Sequence, residues 1–443
     1  MRIDKALRFF NITVKDKRVA KHLICDSRKI KEQSIFIAID NGINYINDLK
    51  IKPLIILSNV KRNDVIYIPN LKDVLSEFGI YFYKLKKKHP TLIGIVGTNG
   101  KTSTANILHN LLPKSLLITT ISNVNDSIIS DNTTPNAIEL VNDIVYAREN
   151  KYQYVILEVS SIGIKEKRVE GLDFSYLVFL NLSKDHLDYH KTLKDYQETK
   201  VNFILKSNAT TVINANDKFG RFLLNQKENS YPYKFESSII KEKSLKGTLF
   251  SFENHMIYTN LIGDFNIENL ISVLTLLKVM KKRINYSEVS SIKPIKGRMD
   301  VISYSPNIII DYAHTSPAFE MALKELKNIT KGKLVVVFGA GGNRDKTKRK
   351  EYGDSARQYA DEIILTNDNP RNENQEEIIS DINALKDEKV TIILDRHEAI
   401  KEGVKRLTKN DTLAIIGKGH EEYQIIGNKK YHFSDYEEVR KWL

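Results

Sequence analysis

From residue 92 onward one pattern recurs: a strand-length apolar run stops, and polar or glycine-rich residues follow at once. Leu92–Val96 leads into Gly97-Thr98-Asn99-Gly100-Lys101, and Tyr154–Leu157 into Glu158-Val159-Ser160-Ser161. Tyr176–Leu180 leads into Asn181-Leu182-Ser183-Lys184-Asp185-His186, and Thr211–Ile213 into Asn214-Ala215-Asn216-Asp217. In the last third, Asn307–Ile310 precedes Asp311-Tyr312-Ala313-His314, Leu334–Phe338 precedes Gly339–Asp345, and Glu362–Thr366 precedes Asn367–Arg371. Thr391–Leu394 precedes Asp395-Arg396, and Leu413–Ile416 precedes Gly417–Glu421. Continuous β-branched runs suit parallel strands buried on both faces. Helix-length stretches such as Thr102–Leu112 and Ser316–Leu326 lie between them. This alternation predicts an α/β fold. Ligands of such sheets bind outside the carboxyl ends of the strands, which is where the polar motifs fall.

At 443 residues the chain exceeds one compact core, so several domains are expected. Residues 1–88 read differently from the rest, with short strands (Ser34–Ile39, Pro53–Leu57, Val65–Ile68) and no phosphate loop. The Lys84–His89 run, ending at Pro90, reads as a linker, and a second boundary falls near Lys296-Gly297-Arg298. The expected division is 1–88, 89–297 and 298–443. The single cysteine, Cys25, excludes an intramolecular disulfide framework and reads as a small buried hydrophobe. No signal peptide is apparent, and the longest apolar runs are far short of the roughly 20 residues a membrane span needs. A cytoplasmic protein is expected. The net charge of +13 invites a nucleic-acid reading, but the lysines are spread along the chain. A field that draws in small anionic substrates explains them as well. A basic ATPase acting on nucleic acid stays open as an alternative, although no aromatic–basic stacking motif supports it.

The motif with the clearest chemistry is Gly97-Thr98-Asn99-Gly100-Lys101-Thr102. A strand, a glycine-rich turn and a helix present backbone N–H groups and a positive helix end to phosphate. Lys101 would reach the terminal phosphates of ATP, and the Thr102 hydroxyl would sit near Mg²⁺. The common pattern G-x-x-x-x-G-K-[ST] is missed by one residue, because position 95 is Ile and the glycine is Gly94. Glu158 is the natural oxygen ligand for Mg²⁺, with His186 a weaker candidate. Arg344, Lys348, Arg349 and Arg371 could form a cluster that holds carboxylates by paired hydrogen bonds.

Taken together, these motifs resemble the Mur ligases over nearly the whole chain. Asp26-Ser27-Arg28 with Ser34–Ala38 is similar to the family's UDP-recognition segment, and Gly97–Ser103 to its own version of the phosphate loop. Asn132-Thr133-Thr134-Pro135 and Glu158–Ser161 resemble the muramyl-substrate and metal segments. Asp185-His186-Leu187-Asp188, Tyr196–Lys200, Gly263–Asn269, Gly297-Arg298-Met299 and Asp311–His314 match further family motifs. The resemblance implies three domains: a small N-terminal α/β UDP-binding domain, a central P-loop-type ATPase domain with a parallel sheet, and a C-terminal Rossmann-like domain. It implies ATP and Mg²⁺ as cofactors, with Lys101, Glu158, His186 and Lys200 catalytic. Gly97, Thr98, Asn99, Gly100, Thr102, Ser103, Asn266, Asn269, Arg298 and Asp311 would complete the nucleotide site. Thr102, Glu158, His186 and Lys200, the last as a carbamate, would hold the metal.

The resemblance further implies that Ser27, Thr133, Thr134, Ser160 and Arg168 bind UDP-MurNAc-L-Ala-D-Glu. Asp368-Asn369-Pro370-Arg371 resembles the mark of members that add meso-diaminopimelate, and it adds Arg344, Gly417 and Glu421 to an amino-acid pocket. A member adding L-lysine would lack the arginine, and folylpolyglutamate synthetase would lack this tetrapeptide and the N-terminal segment. The implied activity joins meso-diaminopimelate to the D-Glu carboxylate through an acyl phosphate in peptidoglycan precursor synthesis, by a monomer without nucleic-acid partners. Ile162, Asn216 and Asn343 stand where the family commonly has His, Asp and Asp.

Overall fold

The computed structural model describes residues 1–87, 89–121, 125–383 and 387–443, without the side chains of Lys87, Leu187 and Asp188. Three sheets built on parallel strands follow one another along the chain. The first has four strands, His22–Ile24, Ser34–Ala38, Ile55–Ser58 and Ile66–Tyr67, all parallel and in that order. Its core gathers Leu23, Ile35, Ile37 and Leu57 against Ile3, Leu7, Phe78 and Phe82 from two helices. Lys84 closes the second of these helices, Leu75–Tyr83, in a left-handed conformation. The stretch expected as a linker, Lys84–His89, carries a short helical turn, Leu85–Lys87, whose Leu85 is buried; Lys88, at the expected first domain boundary, lies outside the described residues.

The second sheet has seven parallel strands with Thr91–Val96 in the middle. Tyr154–Val159 and then Ser115–Thr119 lie on one side, and Phe174–Phe179 and then Thr210–Asn214 on the other. The chain leaves Thr91–Val96, fills one side, then crosses to the other, so the order reverses at this strand. A crevice opens at the carboxyl end of such a switch point, and the phosphate loop occupies it. Ile93 and Ile95 face helices Lys101–Leu111 and Asp264–Val279. Leu92 and Val96 face Ala137–Glu149 and Leu193–Lys206. Truncating one of these buried aliphatic residues to Ala would cost about 2–5 kcal/mol. A small antiparallel sheet over residues 240–259 leans Phe250 and Ile257 on the first face.

The third sheet has six strands in the order Asp300–Tyr304, Asn307–Asp311, Thr412–Ile416, Leu334–Phe338, Glu362–Leu365, Val390–Ile392. Only its first pair is antiparallel. Helices cover both faces, and a hairpin, Tyr423–Ile426 with Lys429–His432, projects beyond it.

Several expected strand ends shift by one or two residues, and two of the corrections bear on candidate site residues. The strand starting at Tyr154 runs on to Val159, so Glu158 lies within it and pairs with Ile95 instead of following the strand. Asp311 likewise lies within its strand, opposite Ile416. Each carboxylate stays in the ladder because it finds donors there: hydroxyls for Glu158, and the backbone N–H groups of Met299 and Ala313, both at 2.7 Å, for Asp311. Among the described residues no helix is long and apolar enough to cross a membrane.

Candidate active site

The phosphate loop is shaped by what surrounds it. Gly100 precedes the helix at φ 84°, and a Cβ there would stand 2.5 Å from the Asn269 side chain. Gly94 serves packing, since a Cβ would press within 2.7 Å of Leu177; that explains the displaced glycine of the sequence pattern. Asn181 braces the loop by accepting from the Asn99 N–H at 2.9 Å and donating to the Asn99 carbonyl at 3.2 Å. Lys101 folds over the loop and donates to the carbonyls of Gly97 (2.9 Å) and Thr98 (2.8 Å). Ser103 is buried in the helix that follows, and Asn266 donates to the Ile262 carbonyl at 2.9 Å.

Glu158, 1% exposed, accepts from Thr102 Oγ1 at 2.8 Å and from Thr119 Oγ1. Lys200 lies across the loop, 1% exposed, donating to the Gly97 carbonyl at 2.6 Å and to Tyr196 Oη at 2.7 Å. Two lysines thus converge on one carbonyl oxygen. Burial first, and then the charge of Lys101, push the Lys200 ammonium well below the ordinary lysine range. That direction favours the neutral amine, the form that carbamate formation requires. Tyr196 also meets Thr98 Oγ1 at 2.7 Å, tying the loop to the lysine helix.

His186 stands beyond the strand that neighbours the phosphate-loop strand. It has φ 52°, its Nε2 lies 3.5 Å from Asp185, and its ring is 6.3 Å from that of Tyr196. Among the described residues no three His, Cys, Asp or Glu side chains are assembled to hold a metal ion. Magnesium needs no such cage, because it takes one or two protein oxygens and completes its shell with phosphates and water. The Thr102–Glu158 pair fits that requirement.

Several of the candidate UDP-muramyl residues gather beside the end of the Glu158 strand. Asp26 caps the short turn Ser27–Lys29, and the Cys25 thiol donates to Asn136 Oδ1 at 3.3 Å, drawing this turn toward residues 131–136. Burial raises that thiol to about 12, so it stays protonated. Thr134 Oγ1 donates to the Glu158 carbonyl at 2.9 Å, meets Ser160 Oγ at 3.1 Å, and its carbonyl accepts from Arg168 at 2.6 Å. Thr133 is half-buried beside it.

A cavity of about 390 Å³ lies between the second and third sheets. Asp185 and His186 line one wall, and Arg344, Asp368, Arg371 and Glu421 the other. Its size suits a small organic ligand. Burial alone would raise the Asp185 carboxyl, but the charges of His186, Lys348 and His314 outweigh it and hold it at about 2. Lys348 reaches Asp185 at 3.4 Å across the seam, and Thr315 Oγ1 meets Asn99 Oδ1 at 3.4 Å. Arg371, at φ 53°, pins one nitrogen, Nη1, on the carbonyls of Gly342 (2.9 Å) and Asn369 (3.3 Å). The carbonyls of Asp368 and Pro370 hold the same loop to Gln424 and Glu373, and Gly417 N–H donates to the Asp311 carbonyl at 3.0 Å. Arg298 stacks over Tyr312 with 4.6 Å to the ring centre.

A family model described as the Mur ligase middle domain matches residues 95–277, and one described as "Mur ligase, glutamate ligase domain" matches 297–419. A relative from Buchnera aphidicola is 36% identical, with 95% of each chain covered. One from Fusobacterium nucleatum is 35% identical, covering 94% of this chain and 92% of its own. Both are named UDP-N-acetylmuramoyl-L-alanyl-D-glutamate--2,6-diaminopimelate ligase. The chain belongs to the Mur ligase family. A solved structure of a ligase with that name matches with TM-score 0.67 at 28% identity, covering 100% of this Mur ligase and 99% of its own chain. MurF ligase from Thermotoga maritima in complex with ADP shares the fold, with TM-score 0.69 at 18% identity over 96% and 97% of the two chains.

Three residues of this Mur ligase escaped sequence reasoning. Thr119 ends an apolar run, Leu116–Ile118, of the same kind as the others, and that signal was available. Tyr196 and Lys418 stand inside the segments Tyr196–Lys200 and Gly417–Glu421 already singled out, but nothing local marks the groups they meet. Two departures from the family pattern find explanations. Asn343, at φ 52°, accepts from Asn372 N–H at 3.1 Å, and Asn216 accepts from Phe235 N–H at 2.8 Å; an amide oxygen serves both. Nothing in the structure explains Ile162.

Proposed function

We propose that this Mur ligase consumes ATP to join meso-diaminopimelate to the D-glutamate carboxylate of UDP-MurNAc-L-Ala-D-Glu, in the cytoplasmic stage of peptidoglycan precursor synthesis. The observation that carries the reading is the shared cavity: the Asp185–His186 wall, from the sheet that bears the phosphate loop, faces Arg371, Arg344 and Glu421. Residues 1–88 would take the UDP-sugar, 89–297 the ATP and 298–443 the amino acid.

The glutamate carboxylate attacks the γ-phosphorus of ATP, an oxygen–phosphorus bond forms, and ADP leaves. The neutral amine of diaminopimelate then attacks the acyl carbon, the nitrogen gives up one proton to solvent, and the tetrahedral intermediate expels phosphate to leave the amide. Lys101 stabilises charge on the transferring group once its nitrogen exchanges loop carbonyls for phosphate oxygens. Magnesium, when bound, neutralises phosphate charge, and Thr102, Glu158, His186 and the carbamate of Lys200 are the residues assigned to it. Arg371 and Arg344 hold the distal carboxylate of the amino acid, and Glu421 its distal ammonium. The loops around the cavity orient amine against acyl carbon, which supplies much of the rate.

The test offers purified protein ATP, Mg²⁺ and the UDP-muramyl dipeptide with diaminopimelate, lysine or ornithine in separate reactions. The product mass should show diaminopimelate added. Ligation of lysine in preference would overturn the pocket assignment.

A further inference from the structure

Directly behind the amino-acid wall lies a buried cation that the proposed reaction does not use. Lys418 is 0% exposed at its side chain, between Gly417 and Gly419 at φ 116° and 54°. Its Nζ donates to Glu421 Oε2 at 3.0 Å and to Asn369 Oδ1 at 3.3 Å. Asn369 Nδ2 donates to the same Glu421 oxygen at 3.0 Å, which closes a three-membered ring of side chains. Asn369 Oδ1 also accepts from Ile425 N–H at 2.9 Å, fixing which way the amide faces. Both donors to Glu421 within this ring therefore take Oε2. Among the described residues Oε1 keeps only a long contact of 3.4 Å from Tyr423 Oη. Glu421, Asn369 and Tyr423 line the cavity; Lys418 does not.

We infer that Lys418 is a positioning residue that turns Glu421 so that one oxygen, Oε1, is presented to the distal head of the incoming amino acid. The inference rests on the proposed amino-acid pocket and names what sets its selectivity. A carboxylate with a lysine at its back attracts a bare ammonium less than an unpaired one would. An amino acid whose far end carries both charges regains the difference at Arg371. Lys418 thus favours a zwitterionic side-chain head over a plain amine.

Steady-state kinetics on Lys418→Met, Glu421→Gln and the double variant test this. Lys418→Met should raise KM for diaminopimelate about tenfold and lower its preference over lysine by a similar factor, with KM for ATP within about threefold of wild type. In the Glu421→Gln background the same substitution should change KM for diaminopimelate less than about threefold, because the residue it acts through is gone. Additive losses would overturn the inference. If Lys418→Met does not fold, the double variant against Glu421→Gln alone decides the same question. The cycle is run with whichever amino acid the wild-type enzyme ligates, so a failed substrate assignment shows up separately in the wild-type arm. A crystal structure of Lys418→Met with Glu421 and Asn369 unmoved would refute the positioning role whatever the substrate.

Discussion

Replacing Arg371 separates the pocket from the rest of the enzyme most sharply. Its Nη1 is spent on the Gly342 and Asn369 carbonyls. Among the described residues its Nε and Nη2 have no protein partner, which leaves two donors for a ligand carboxylate. A hydrogen bond to a charged group contributes about 1.5–3 kcal/mol. Losing two that share one geometry, with part of the loss recovered by water, gives about 3 kcal/mol. That is roughly a 150-fold fall in kcat/KM for diaminopimelate in Arg371→Ala. Arg371→Lys keeps a charge without the planar fork, so a fall of about ten- to thirtyfold is expected. The assay varies diaminopimelate at saturating ATP and UDP-muramyl dipeptide, then varies ATP at saturating amino acid. KM for ATP should stay within about threefold, since the arginine is carried by the third sheet and the loop by the second. Equal damage to both constants would refute the argument, as would an Arg371→Lys enzyme with wild-type selectivity.

Lys101→Ala should abolish ligation while leaving the far-ultraviolet circular dichroism unchanged; a variant with full turnover would remove the phosphate-loop assignment. Glu373 is held at about 2 by hydrogen bonds from Arg349 and Lys346, well below the 4.5 of an unfolded glutamate. A depressed acid stabilises the fold above its unfolded value and loses that contribution as pH falls toward its folded one. Glu373→Gln should therefore melt below wild type at pH 7, with the gap closing between pH 4.5 and 2; a gap independent of pH would count against it. Arg396 and Asp435 form a fully buried pair at 2.7 Å. Asp435→Asn strands the guanidinium and should cost about 3–5 kcal/mol in urea unfolding; a loss under about 1 kcal/mol would show the charge is otherwise compensated.

The sheets were legible because strands buried on both faces must be written as unbroken apolar runs. Leu334–Phe338 begins and ends where the sequence places it. Strand ends were misjudged where a carboxylate stands inside the ladder. Glu158 and Asp311 look like terminators on paper, and only the donors of Thr102, Met299 and Ala313 show why they are not. The flanking of Thr91–Val96 by strands that carry Glu158 and lead to His186 follows from crossover topology, which no local pattern encodes. The roles of Tyr196 and Lys418 were hidden for a related reason. Tyr196 meets Thr98, 98 residues away, and the ring by which Lys418 sets Glu421 is closed by Asn369, 49 residues away in sequence.

The seam between the second and third sheets has a consequence for how such an enzyme can change over time. The phosphate loop and the wall proposed to take the incoming residue are carried on different sheets, which meet through contacts such as Lys348 with Asp185 and Thr315 with Asn99. On the proposed assignment, substitutions at Arg371 or Lys418 would alter which building block is taken up without rewriting the machinery that makes an acid reactive. The energy source is inherited; the vocabulary of residues it can add is open to revision.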